Sequence, residues 1–140
     1  MNRIDHLPMP SYAHVPGINS RPDNDELELV ITLILSTTTD ATAHDNIAWQ
    51  YGIKLLNCGF FWEAHEVLES VWMNATPNSR ERHLLQGVIH VANSALKVRM
   101  QRMKAAQRLS GLATVCIKRS FEQREYALMG VRIQEALSAA

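Results

Sequence analysis

Cysteine is scarce in this 140-residue chain: Cys58 and Cys116 lie far apart, with no C-x-x-C partner for either. That excludes a disulfide framework and fits reduced thiols in a cytoplasmic setting. Long apolar runs are missing as well. The longest, "LELVITLIL" (27–35), is interrupted by a glutamate and a threonine and falls far short of the ~20 residues that span a bilayer. The first residues hold no basic region followed by an apolar one, so neither a secretory signal nor a membrane partner is expected. The six glycines form no phosphate-cradling loop, and no internal repeat or low-complexity tract occurs. Net charge is also absent, with 14 basic residues against 14 acidic.

What remains is ordinary soluble composition, 46% hydrophobic and 20% charged, in a chain long enough for one core. The charges are unevenly placed. Ten acidic residues face three basic ones up to Trp72, and eleven basic residues face four acidic ones from Arg80 onward. Two halves that neutralise each other explain this most simply. An anion- or RNA-binding surface on the basic half is the weaker alternative, because no aromatic or Gly-rich nucleic-acid motif accompanies the charges.

Four of the five prolines fall in residues 1–22, where no helical period exists. Proline fixes its own φ and biases the preceding residue to extended shapes. This segment reads as an extended arm, anchored by Tyr12 and Val15, ahead of a single domain over 23–140. Residues 24–39 alternate like a strand, but they open with acids and have no second strand to pair with, so helix is expected. Thr42 and Asp45 have capping-box spacing and open a helix that runs to about Asn57. Gly59 is a stop signal, and the next helix runs from Phe60–Phe61 to about Asn74. Pro77 suits the first turn of a fourth helix, 77–100. Residues 101–121 and 123–137 supply two more, the last weakened by Gly130. The expected fold is all-α: a compact bundle of five or six helices, with helix 77–100 buried at its centre.

Two polar rows stand out by three- and four-residue spacing. In "NCGFFWEAHEVLESVW" (57–72) the row is Trp62, His65, Glu69 and Trp72, while Glu63 and Glu66 point to another face. In helix 77–100 the row is Gln86, His90 and Asn93, continued by Lys97. An unpaired buried polar group costs ~1–3 kcal/mol, so each row needs partners and the two are expected to meet across antiparallel helices. Three readings of that cluster are open. It is a structural network, or a small-molecule pocket walled by indoles, or a divalent-metal site with His65 and Glu69 as ligands and Glu66 as base. The last would make a hydrolase-like enzyme. H-E-x-x-H is not present, however, since its last position is Glu69, and no second Glu-x-x-His serves a di-metal bundle. Cys58 beside Gly59 reads as a small residue at a helix junction more readily than as a nucleophile.

The same tract carries a resemblance. "YGIKLLNCGFFWEAHEVLESVW" (51–72) followed by "LLQGVIHVANSALKVR" (84–99) resembles the bacterial family catalogued as domain of unknown function 309. Its pattern N-x-G-x-(aromatic)-W/F-E-x-H-E-x-x-E-x-x-W, with a later L-Q-G, is matched at Asn57, Gly59, Glu63, His65, Glu66, Glu69, Trp72, Gln86 and Gly87. "PSYAHVPG" (10–17) is similar to the arm of some members. The resemblance implies a compact helical domain and no activity; His90 and Asn93 depart from its Ala-rich pattern. Apolar residues near Phe121, Tyr126 and Val131 suggest a homodimer face.

Overall fold

The computed structural model describes residues 7, 9–21, 38–121 and 127–140. Residues 24–37 of the helix expected over 24–39, and Tyr126, lie outside the described residues; Thr38 is not helical but bridges to Ala75. Helix α1 is Ile47–Asn57, α2 Phe61–Met73, α3 Arg80–Arg99, α4 Met103–Ser120 and α5 Ile133–Ala139. Strands β1 (Ala127–Leu128) and β2 (Val131–Arg132) form a two-residue antiparallel hairpin before α5. The protein is an all-α bundle, as its periodicity implies. Among the described residues, no helix is long and apolar enough to cross a membrane.

Local chemistry shifts several boundaries. Thr42 and Asp45 belong to a short 3-10 turn, Ala43–Asp45, in which Thr42 makes no side-chain cap. Asn46 caps α1 instead, its side-chain oxygen accepting from the Trp49 N–H at 3.0 Å. Pro77 lies in a turn ahead of α3, with Asn78 at φ 62°, and Ser79 caps that helix by accepting from Arg82 N–H at 3.1 Å. The helix expected across Gly130 is replaced by the hairpin. Met129 and Gly130 both adopt positive φ, 52° and 78°, the requirement of a two-residue turn matched to strand twist.

Helix α3 is central. Its buried side chains Leu84, Leu85, Val88, Val91 and Ala92 join Leu55, Val67, Leu68 and Ile117 in one core. Gly87 lets α4 approach closely: a Cβ there would lie 2.7 Å from Ile117 Cγ1, too near for any real contact. The helix is not buried all round, since Gln86, Val98 and Arg99 are exposed. Phe121, expected on a dimer face, is 5% exposed and part of the core. It ends α4 by folding over the bundle. Val131 is half-buried and lines a cavity.

The segment before α1 is tied to the end of α2. Thr38 donates its N–H to Asn74 O at 3.0 Å and its hydroxyl to Val71 O at 3.0 Å. On the other side, Trp49 Nε1 donates to Met129 O at 2.9 Å, and Met129 N–H donates to Asp40 Oδ1 at 2.5 Å.

Candidate functional site

His65 and Glu69 share a face of α2, as their spacing requires, with Nε2 3.2 Å from a Glu69 carboxylate oxygen. Glu66 does not point away: its carboxylate lies 3.6 Å from His65 Nδ1. The imidazole therefore sits between two carboxylates. The side chains are 26% (His65), 39% (Glu66) and 52% (Glu69) exposed. This is a surface ion-pair cluster rather than a buried one, and exposed pairs contribute little to stability.

The buried carboxylate of the tract is its neighbour. Glu63, one turn into α2, has no exposed surface. One of its oxygens accepts the backbone N–H of His14 at 2.9 Å; the other has no hydrogen-bond partner. Trp62 meets the same arm. The His14 ring stands edge-on to it, centroids 4.9 Å apart at 87°, and the Arg21 guanidinium lies 4.7 Å over the indole. Asn19 stiffens the arm, accepting from Val15 N–H and donating to Ala13 O, both at 2.9 Å. Val15 is buried and Tyr12 exposed. The W-E pair thus clamps residues 14–21 against the start of α2.

Residues 49–109 match the model of a family of unknown function, DUF309. No curated protein and no solved structure matches the chain.

The DUF309 tract does not bring the two polar rows together. No hydrogen bond or ion pair joins Trp62, His65, Glu69 or Trp72 to Gln86, His90 or Asn93. Trp72 serves a separate contact, with the Arg82 guanidinium 3.9 Å over its ring and its own Nε1 buried without an acceptor. Gln86 is exposed and Asn93 half-buried. His90 lies three residues after Gly87 and four before Ser94, in the row that meets α4. There Gly87 abuts Ile117, and Ser94 donates its hydroxyl to Ala106 O at 2.8 Å. Burial, and then the charge of Arg108, hold the His90 imidazole below its ordinary pKa. Its Nδ1 is buried without a partner. Small residues at 87 and 94 thus turn this row toward α4 and away from α2.

Among the described residues, no group of three or more His, Cys, Asp or Glu is placed to hold a metal ion. Cys116 is half-buried, and burial pushes its thiol up, against the smaller opposing effect of Arg119. Cys58 is exposed on a groove of about 350 Å³ along α1 and the hairpin, beside Trp49, Lys54 and Met129.

A second concavity lies deeper. A cavity of about 130 Å³ sits between α1, α3, α4 and α5, walled by Ile53, Leu56, Val88, Val91, Ile117 and Ala136. Asn57 and Glu135 supply its polar groups, and it shares Ile53, Asn57 and Val131 with the groove. Of the residues that mark the DUF309 tract, Asn57 alone reaches it. Nothing in the sequence flagged this cavity, because its walls come from four helices whose apolar residues each read as core.

Proposed function

We propose that this chain is a non-catalytic helical module that binds a small ligand with an apolar body. The observation that carries this reading is the aliphatic cavity of about 130 Å³ between Ile53, Leu56, Val88, Val91 and Ile117. Its volume is close to the ~150 Å³ that accepts a molecule of benzene's size, and a few polar groups at a site's edge suffice to orient a ligand. Asn57 and Glu135 provide a hydrogen-bond donor and an anionic acceptor, which favour a ligand whose head is an alcohol or amine. In this reading the Trp62, Glu63, His65 and Glu69 tract is structural, holding the arm and the outer face of α2. Two cysteines far apart in sequence fit a reducing, cytoplasmic setting. The metal-dependent hydrolase alternative, with His65 and Glu69 as ligands and Glu66 as base, lacks a third ligand among the described residues. The anion- or RNA-binding alternative has only the excess of basic residues from Arg80 onward in its favour.

The test is thermal denaturation with hexanol, hexylamine and hexanoate, followed by amide NMR shifts. Hexanol and hexylamine are expected to raise Tm and to move the signals of Ile53 and Val91. Val88→Phe, which fills the cavity, is expected to abolish both effects while the protein stays folded. If no probe moves Tm or those signals, the reading fails.

A further inference from the structure

Helix α4 is built against its own dipole. Its first turn holds no acidic residue, and its N-cap, Arg102, makes no side-chain cap. Lys104 follows in the first turn, where the partial positive charge of a helix start disfavours a cation. The whole helix, Met103–Ser120, contains no aspartate or glutamate.

Its outward stripe runs Lys104, Arg108, Leu112, Val115 and Arg119, spaced four, four, three and four, so these side chains lie above one another. Leu112 and Val115 are 41% and 50% exposed. None of the three cations is ion-paired among the described residues. Gly111 sits in the same exposed face, and a Cβ there would meet nothing within 4 Å. A glycine inside a helix costs about 1 kcal/mol relative to alanine, and among the described residues nothing uses the space that it leaves. A close-approaching backbone from outside would use it.

The complementary surface is on the same molecule. The outward stripe of α2 is Glu66, Glu69 and Met73, with Met73 68% exposed. Each carboxylate gives one oxygen to His65 and keeps the other. We infer that the protein self-associates by seating the Glu66–Glu69–Met73 face of one copy on the Lys104–Arg108–Leu112–Val115 face of a second. Contact between two α4 faces would oppose like charges and is disfavoured. When the same two copies each give α2 to and receive α2 from the other, the interface closes around a two-fold axis. Zero net charge removes the long-range repulsion that would keep copies apart.

Sedimentation velocity of the full chain over a wide concentration range tests this. A dimer that weakens with salt is expected. The pairs Lys104→Glu with Arg108→Glu, and Glu66→Lys with Glu69→Lys, should each raise the dissociation constant at least roughly tenfold. Mixing the two variants should restore association, because every contact regains opposite charge. Leu112→Lys with Val115→Lys changes exposed positions only, and should give a folded monomer even where the Glu66 and Glu69 variant destabilises α2. A wild-type monomer at every concentration overturns the inference. So does a dimer indifferent to these substitutions, or a mixture of folded variants that stays monomeric. A monomer that pellets instead with phosphatidylglycerol vesicles also overturns it, assigning the α4 stripe to a lipid surface.

Discussion

Two titratable side chains hold unusual positions, and each has a separate consequence. Glu63 is the glutamate that spacing alone misplaces: its position, one residue from Trp62, puts it on another face of the helix from that row. The arm, folding over α2 from outside the helix, is what buries it, and a contact 49 positions distant in sequence leaves no trace in a helical period. His90 is the reverse case. Its row was legible, but its neighbour was not, since the direction of the row depends on Gly87 and Ser94 fitting α4. Burial and Arg108 depress its pKa, so as pH falls below about 6.5 the unfolded chain takes up a proton before the folded one does. Stability from this group is therefore full above that pH and declines as the pH falls through the folded value. His90→Gln is expected to lose less Tm than wild type between about pH 7 and pH 5. Parallel melting curves across that range check it, and equal slopes would refute it.

At the scale of elements, the helices over 47–57, 61–73 and 103–120 were readable because their apolar residues recur every three to four positions. Their ends were less so. Thr42-x-x-Asp45 has capping spacing, yet Asn46 is the residue with extended backbone, φ −84° and ψ 97°, from which a side chain can reach forward to N–H groups. Asn46→Ala is expected to destabilise the protein by ~1 kcal/mol, measured by urea denaturation. A loss indistinguishable from zero would remove Asn46 as the cap. The hairpin was hidden for a similar reason. "ALMGVR" has apolar residues compatible with a helix, and only Met129 joining Gly130 at positive φ converts the sequence into a turn.

At the scale of the whole molecule, an all-α bundle with a central helix follows from patterning, whereas the arm, the hairpin and the cavity depend on which faces meet. The arm's docking is testable as a coupling. Deleting residues 1–21 and substituting Glu63→Ala should each destabilise the fold. Together they should cost less than their sum by about 1–3 kcal/mol, because the carboxylate has no donor to lose once His14 is gone. Additive losses in denaturant titrations would show that the clamp is energetically idle. The DUF309 match ends at residue 109, but the bonds that close the bundle do not. Met129 accepts from Trp49 and donates to Asp40, joining the entrance of α1 to a hairpin made eighty residues later. During synthesis, α1 to α3 can leave the ribosome and pair in order, each with its predecessor, while the indole of Trp49 waits for its acceptor. The domain closes only when the hairpin at 127–132 has been made.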